Sequence, residues 1–249
     1  MSLIRNADDF GKNEDVTRAI LTCFANGSID RTTLMVNMPD AARAVEEAKK
    51  AGLQDRVGIH LNLTEGMPLS EPIRSNPVFC DENGRFHARF RQKKLYRLHM
   101  DRETEEQIYT ELGAQLALYR EWGLKLFHVD SHHHVPTDLT VYKALKRLAV
   151  EYRFSSVRIS RNLYRGGSPA NRIYKGWYNR AVRGLCESTT DLFGSFIDLK
   201  EYATPEENRD LIASRPVEIM MHPMYDASGT LTDTDTPMET VDAYFAQIR

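Results

Sequence analysis

The sequence has few cysteines, no long apolar stretch and no surplus of positive charge. Its three cysteines are odd in number and far apart, which excludes a disulfide framework and favours buried thiols in a reducing compartment. No apolar run approaches the roughly 20 residues that a membrane span needs, and no charged-then-apolar signal segment opens the chain. The formal net charge of -2 argues against a nucleic-acid-binding or membrane-surface protein. We therefore expect a cytoplasmic protein without a nucleic-acid or membrane partner.

The chain is long enough to bury a large core, and short apolar runs alternate along it with amphipathic helical stretches. Its 249 residues are 41% hydrophobic and 27% charged, as in an ordinary globular protein. Asn13 is a predicted helix N-cap and Gly27 a predicted helix end. The predicted strands lie at 3–4, 32–37, 57–61, 126–130, 157–159, 191–193 and 217–221. This alternation predicts parallel strands joined by right-handed crossovers, and hence an α/β fold in a single domain spanning 1–249.

Polar side chains that can bind metal stand at the ends of four predicted strands. They are Asp8 and Asp9, His60, Asp130 with His132 and His134, and His222. Because the carboxyl ends of parallel strands lie on one face, these groups are predicted to converge although they are far apart in sequence. One carboxylate with two imidazoles suits Zn²⁺, Ni²⁺, Co²⁺ or another first-row dication with open positions for water. Such a site is typical of hydrolysis, since a metal acidifies bound water and polarises a carbonyl.

Each of these signals has a plainer interpretation when it is taken alone. Asp8 and Asp9 could form a turn that caps the following helix, and a lone His60 on an apolar strand is more often a core histidine than a ligand. In the histidine run, strand alternation would turn 132 and 134 to one side and 133 to the other. At most two of the three are therefore predicted to serve one site.

Four segments of the sequence together resemble a known family. They are Asn6-Ala7-Asp8-Asp9-Phe10-Gly11, Gly58-Ile59-His60-Leu61-Asn62-Leu63-Thr64, His128-Val129-Asp130-Ser131-His132-His133-His134 and Glu218-Ile219-Met220-Met221-His222-Pro223. In content and order they resemble the motifs of the YdjC-like carbohydrate deacetylases, which include the chitooligosaccharide (diacetylchitobiose) deacetylases. The similarity runs across nearly the whole chain.

The resemblance implies a fold, a cofactor and a reaction. The fold would be a distorted β/α barrel related to polysaccharide deacetylases, and the cofactor a divalent metal, often magnesium or zinc. The reaction would be removal of acetate from N-acetylated sugars. By position, the resemblance implies Asp9, His60 and His132 as the metal ligands.

The same resemblance implies roles in proton transfer and positioning. Asp8 matches the family's proposed base, and His222 matches the histidine placed to protonate the leaving amine. Amide hydrolysis needs an activated water, charge stabilisation at the carbonyl oxygen and a proton for the departing nitrogen, which a metal and these two residues can supply. Asp130 is expected to orient a ligand histidine or Arg158. Asp130, His134 and Arg158 are together expected to lie behind the metal ligands or to contact the substrate.

An excursion at about 62–100 interrupts the series of strands and helices. Prolines and a glycine make its first part loop-like, and the stretch 84–100 mixes aromatic residues with Arg and Lys. The acidic run that follows cancels this positive patch, which disfavours nucleic-acid binding. We predict that the excursion covers part of a pocket and that 84–100 forms a lid whose aromatic faces pack on sugar rings.

Two other functions remain compatible with the sequence. One is a metal-dependent hydrolase of another bond, such as a phosphoester. The stretch from Tyr152 to Cys186 favours it, because that stretch contains eight Arg or Lys and no acidic residue. The other is a sugar-binding or metal-binding protein without turnover, against which the paired Asp8 and Asp9 argue. The expected partner is a small acetylated sugar, and a homodimer is a possible assembly.

Overall fold

The computed structural model describes residues 3–163, 166–204 and 206–248, so both ends of the predicted domain 1–249 lie outside the described residues. Its centre is a sheet of eight strands. In chain order these are β1 (Leu3–Phe10), β2 (Arg31–Leu34), β3 (Val57–Leu61), β4 (His128–Ser131), β5 (Phe154–Val157), β6 (Cys186–Ser188), β7 (Leu192–Ser195) and β8 (Val217–Met221). The spatial order is β6-β5-β4-β3-β2-β1-β8-β7, and every neighbouring pair is parallel. Among the described residues no pairing joins β6 to β7, so the sheet forms a half-barrel.

Helices follow most of the strands, as parallel pairing requires. Those of the described chain are α1 (Glu14–Asn26), α2 (Ala41–Lys50), α3 (Glu71–Arg74), α4 (Lys94–Leu98), α5 (Arg102–Glu121), α6 (Leu139–Tyr152), α7 (Pro169–Arg183), α8 (Phe196–Ala203), α9 (Glu206–Ser214) and α10 (Met238–Ile248). Short 3₁₀ segments occur at Ala88–Gln92 and His132–Thr137. This architecture confirms the predicted α/β fold of the distorted-barrel type.

The first helix begins and ends where its sequence predicts. The side chain of Asn13 accepts a hydrogen bond from the backbone N–H of Val16 at 2.9 Å and so caps α1. Gly27 ends the helix with a left-handed φ of 73°, a conformation that costs glycine little. Both predictions are confirmed. The two caps set where α1 begins after β1 and where it ends before β2.

Several strands differ from the sequence-based prediction. β2 ends at Leu34, short of the predicted 37, and β5 begins at Phe154, before the predicted 157. The sequence does not predict β6, because three residues at a sheet edge carry no readable alternation. It also does not predict a small antiparallel sheet, which consists of β9 (Pro223–Tyr225), β10 (Leu231–Asp233) and β11 (Thr236–Pro237).

The apolar core packs the helices against the sheet. Ile59 of β3 and Ile219 of β8 are fully buried, as are Leu112 and Leu116 of α5. Full burial of a side chain of this size stabilises the fold by about 1.5–3 kcal/mol. None of the described helices is both long and apolar enough to cross a membrane.

The register of the strands sets which residues meet at the carboxyl rim of the sheet. His60 on β3 lies beside Asp130 on β4, and Ala7 on β1 lies beside Met221 on β8. The chain continues from Ala7 into Asp8 and from Met221 into His222. The polar residues of these strand ends are therefore brought to one edge of the half-barrel, as their positions in sequence predict.

Candidate functional site

A pocket of about 480 Å³ opens at this carboxyl rim. It is lined by Asp8, Asp9, Lys12, His60, Arg91, Ser131, His132, His133, His134 and His222. Six of the eight residues singled out from sequence therefore face one cavity. The other two, Asp130 and Arg158, are buried beneath it and contact residues that line it.

Three side chains converge closely enough to hold one metal ion. Asp9 Oδ1 lies 2.8 Å from His132 Nδ1 and 3.2 Å from His60 Nε2. One ligand atom from each of the three side chains falls within 4.8 Å of the others. Two imidazoles and a carboxylate, nearly buried and aimed at one point, fit a first-row divalent cation.

The charge state of this cluster follows from its neighbours. Burial alone would lower the pKa of His60, but Asp130 and Asp9 raise it to about 10. Burial likewise opposes ionisation of Asp9, yet hydrogen bonds from His132 and His60 hold its pKa well below the usual range. The cluster thus holds positive charge around one carboxylate, which is the charge arrangement that a bound cation would replace.

The backbone at Asp9 explains how adjacent aspartates face different partners. Asp9 has a left-handed φ of 69°, which is uncommon for a residue with a side chain and costs about 1–3 kcal/mol. This conformation lies at a register irregularity between Ala7 and Phe10 of β1. The Asp9 carboxylate faces His60 and His132, whereas the Asp8 carboxylate faces Arg158. Gly11 follows with a φ of 80°, and a side chain there would meet the backbone of Ala41 at 2.8 Å.

Arg158 ties three buried carboxylates together under the pocket. Its guanidinium lies 2.7 Å from both oxygens of Asp8, 2.8 Å from Asp130 Oδ2 and 2.6 Å from Glu218 Oε1. Burial opposes ionisation of Asp8, but Arg158 and His60 hold its pKa below the usual range. Against the same burial penalty, Arg158 and Arg31 lower the pKa of Glu218 to about 2.

Asp130 contacts both groups that its predicted positioning role names. Its Oδ1 lies 2.7 Å from His60 Nδ1, and its Oδ2 lies 2.8 Å from Arg158 Nη2. Thr33 also donates to Oδ2 at 2.9 Å. With Nδ1 engaged, His60 presents Nε2 to Asp9, the arrangement that commonly orients histidine ligands of metals.

The run of three histidines does not continue the strand. β4 ends at Ser131, and His133 and His134 have left-handed φ values of 53° and 54° in the turn that follows. The strand alternation predicted for this run was therefore wrong. All three histidines line the pocket, and of the three it is His132 that joins Asp9 and His60 in the cluster. His134 packs edge-on against Phe193, with ring centroids 5.9 Å apart. Burial and the nearby Arg158 lower the pKa of His134 to about 3.

His222 lines the pocket from the end of β8, on the other side of β1 from the strands that carry His60 and Asp130. It directly follows β8, and its backbone N–H donates to Asp233 Oδ1 at 2.7 Å. Burial raises the pKa of Asp233. This contact links the site to the small sheet β9–β11 and holds the chain at His222 near Asp8, the other residue predicted to transfer a proton.

Lys12 and Glu65 contact the metal cluster and are absent from the sequence-based prediction. Lys12 Nζ lies 3.4 Å from Asp9 Oδ2 and 3.1 Å from Glu65 Oε2, and Glu65 Oε1 lies 3.0 Å from His132 Nε2. The hydrogen bond from His132 lowers the pKa of Glu65 to about 2, although burial opposes this. Glu65 directly follows the segment that ends at Thr64, so its place just after the end of β3 is the signal that could have identified it.

The excursion contributes one residue to the pocket. Arg91 donates to the backbone carbonyl of His133 and, at 3.0 Å, to Asp138 Oδ2. Phe86 and Phe90 are buried, and Phe90 packs on Phe79 with ring centroids 4.7 Å apart. These two aromatic faces are therefore not available to a sugar, and that part of the lid prediction was wrong.

Several known proteins are similar to this chain in sequence. The family model described as YdjC-like protein matches residues 2–245. A carbohydrate deacetylase of Brevibacillus brevis (strain 47) is 40% identical over 153 residues, which span 61% of this chain and 57% of that protein. A carbohydrate deacetylase of Vibrio parahaemolyticus serotype O3:K6 is 31% identical over 226 residues, which span 90% of this chain and 79% of the relative. The chain thus spans a little over half the length of several curated relatives that it matches.

One solved structure is similar in fold. It is a crystal structure of a candidate cellobiose-phosphate cleavage protein from Enterococcus faecalis V583. The TM-score is 0.66 with 26% sequence identity, and the similarity covers 91% of this chain and 82% of that chain. The shared architecture includes the half-barrel that carries the pocket.

Proposed function

The chain belongs to the YdjC-like protein family, and on this premise we propose that it is a metal-dependent carbohydrate deacetylase acting on N-acetylated sugars. The observation that carries the proposal is the cluster of Asp9, His60 and His132 beside Asp8 and His222 in one pocket. The names of its relatives support the same reaction. The sugar would be of the chitooligosaccharide kind.

A divalent metal, magnesium or zinc, would be held by Asp9, His60 and His132. When bound, such a cation acidifies water and polarises the acetyl carbonyl. Asp130 would keep His60 Nε2 directed at the ion by holding Nδ1. The nearly complete burial of His60 and His132 would keep bulk water from competing for the ligand atoms.

Asp8 would accept the proton of the attacking water. Among the described residues, its Oδ1 accepts hydrogen bonds from Arg158 and Asn6, whereas its Oδ2 accepts one, from Arg158. Oδ2 therefore has a lone pair free for the proton. Arg158 would hold the carboxylate plane by both oxygens, so that this lone pair points consistently into the pocket.

His222 would donate a proton to the nitrogen that departs as the amide bond breaks. Its side chain lines the pocket, and its backbone is held by Asp233. Asp8 and His222 would thus act on the two sides of the scissile bond, one removing a proton from water and the other supplying one to the amine. His134 would contact the substrate as a neutral ring.

Release of acetate from acetylated sugars is the direct test. Protein loaded separately with Mg²⁺ and Zn²⁺ is expected to release one acetate per amine formed from N-acetylglucosamine or diacetylchitobiose. Chelator-treated protein is expected to be inactive until metal is restored. Bound metal without acetate release from any acetylated sugar would instead favour a binding protein without turnover.

A second candidate is hydrolysis of a phosphoester at the same metal site. Lys12 and Arg91 line the pocket, and the Enterococcus faecalis protein is named for cleavage of cellobiose phosphate. Positive side chains of this kind stabilise a phosphate. Phosphate release from phosphorylated disaccharides, without acetate release from their acetylated counterparts, would select this candidate.

The remaining parts of the proposal concern the setting of the enzyme. We propose a single domain over 1–249, a location in the cytoplasm and no nucleic-acid or membrane partner. A homodimer is a possible assembly. Analytical ultracentrifugation of the purified chain distinguishes the monomer from the dimer directly.

Arg91→Ala is expected to raise KM for a disaccharide several-fold with a smaller change in kcat. Arg91 lines the pocket and joins the excursion to the backbone of His133, and a lost hydrogen bond of about 0.5–1.5 kcal/mol corresponds to a roughly 2–12-fold change. Arg89→Ala is the matched control, because Arg89 is exposed and does not line the pocket. Steady-state kinetics on both variants decide the matter, and an unchanged KM in Arg91→Ala would contradict the lid.

A further inference from the structure

Both histidines of the proposed metal cluster have their second ring nitrogen on a carboxylate. Asp130 holds His60 Nδ1 at 2.7 Å, and Glu65 Oε1 lies 3.0 Å from His132 Nε2. We propose that Glu65 is a positioning residue that orients His132 Nδ1 toward the ion. This role rests on the metal site of the proposed function. Glu65 also keeps Lys12 from competing with the ion for Asp9.

His132 needs such a partner because its backbone does not fix its ring. Asp130 and His60 sit on neighbouring strands in register, whereas His132 lies just beyond β4, in a turn with two left-handed residues. A neutral imidazole can carry its proton on either nitrogen, and only the tautomer protonated at Nε2 leaves Nδ1 free to bind metal. A carboxylate that accepts the Nε2–H selects this tautomer and fixes the ring plane.

The loop that carries Glu65 is itself held in place. The side chain of Asn62 accepts from the backbone N–H of Glu65 at 3.2 Å and donates to its carbonyl at 2.7 Å. Asn37 donates to the same carbonyl at 3.0 Å. The backbone of Glu65 is therefore fixed at both its donor and its acceptor, which makes its side chain a rigid support for His132.

The second oxygen of Glu65 acts on Lys12. The Lys12 ammonium lies between Glu65 Oε2, at 3.1 Å, and Asp9 Oδ2, at 3.4 Å. A divalent cation on Asp9 repels this ammonium, and Glu65 is the nearby carboxylate that can retain it. Without Glu65, Asp9 is the carboxylate partner that Lys12 keeps among the described residues, and the ammonium competes with the ion for it.

Glu65, His132 and His133 also place ligand atoms within 4.8 Å of one another. A second cation held there would bind His132 Nε2, so the ring would have to lose its proton and bridge two ions. The hydrogen-bonded arrangement with one ion needs no such loss. The number of ions bound per chain separates the two arrangements.

Titration with Co²⁺, followed by its visible absorption, tests the proposal. The wild-type chain is expected to bind one equivalent. Glu65→Ala is expected to bind the same number about 10–100-fold more weakly, the usual loss when the partner of a ligand histidine is removed. Glu65→Gln should lose less, because its amide oxygen still accepts from Nε2–H. Glu71→Ala is the matched control, since Glu71 is exposed and pairs with Arg74 on the surface.

A second variant separates the two actions of Glu65. Lys12→Met combined with Glu65→Ala is expected to recover part of the lost Co²⁺ affinity, because the competing ammonium is gone. Circular dichroism on each variant shows whether it is folded. If Glu65→Ala is unfolded, the Co²⁺ affinity of Glu65→Gln is compared with that of wild type instead.

Three results would overturn the proposal. Equal Co²⁺ affinity in Glu65→Ala and wild type would show that Glu65 does not position His132 for the metal. Two equivalents in wild type that fall to one in Glu65→Ala would make Glu65 a ligand of a second ion. A wild-type chain that binds no Co²⁺, Zn²⁺ or Mg²⁺ would remove the proposed metal site itself, and with it this role.

Discussion

Asp8→Asn is expected to bind metal and substrate yet to turn over roughly a hundred to ten thousand times more slowly, the usual cost of losing a general base. Asn keeps the size of the side chain, but its amide nitrogen cannot accept a proton. One hydrogen bond from Arg158 is lost, while the guanidinium keeps Asp130 and Glu218. Single-turnover acetate release at saturating metal measures the effect without interference from binding.

Asp9→Asn is the matched variant, because it changes the adjacent carboxylate in the same way. Asp9 contacts both His60 and His132, so this variant is expected to lose metal affinity, and added metal should partly restore its activity. Added metal should do nothing for Asp8→Asn. If Asp8→Asn is the variant that loses metal, the two roles are exchanged. Full activity in both variants would show that neither aspartate takes part in the reaction.

Arg158→Met is expected to destabilise the protein by about 3–5 kcal/mol, because it removes one partner from a buried ionic cluster and leaves the others uncompensated. Asp8 would keep Asn6, Asp130 would keep Thr33 and His60, and Glu218 would keep Arg31 at 2.7 Å. Urea denaturation in metal-free buffer at pH 7 measures the difference. Arg147→Met is the matched control, since its pair with Glu106 is about half exposed and such pairs contribute about 0–1 kcal/mol.

The loss in Arg158→Met should shrink as the pH falls. In wild type the pKa of Glu218 is lowered from 4.5 to about 2. Its contribution to stability is therefore present above the unfolded pKa and is lost as pH falls toward 2. In the variant Asp8 and Glu218 lack Arg158, the pKa values of these two carboxyl groups rise, and their protonation relieves the repulsion in the cluster. The two stability curves are expected to approach each other as the pH falls from the unfolded value of 4.5 toward 2, and a constant difference would contradict this account of the cluster.

The convergence of the pocket could be predicted from sequence because parallel strands place their carboxyl ends on one rim. Asp9, His60 and His222 each stand at or just after an apolar run that is readable as a strand. That rule needs only the order of the elements. The assignment of Asp8 to proton transfer rests on the family resemblance, and it stays a prediction until the two aspartates are compared.

The lid shows where sequence patterns cannot separate surface from core. Phe86, Phe90 and Arg91 are close in the chain and lie in a stretch without helical or strand periodicity. The two phenylalanines are buried while Arg91 reaches the pocket. Their directions depend on packing against Phe79 and on Asp138, which lie in other parts of the chain.

By itself, the sequence determined the alternating β/α order, the strand ends that carry the polar groups and the helix caps at Asn13 and Gly27, because these depend on local spacing and backbone preference. Only the tertiary structure decided that one arginine serves three carboxylates, that Glu65 stands against His132, and that the histidine run leaves the strand after Ser131. The partners in these contacts lie up to 150 residues apart, and left-handed backbone conformations at Asp9, His133 and His134 set their directions. Such distances and turns arise from packing of the whole chain, which no local pattern encodes.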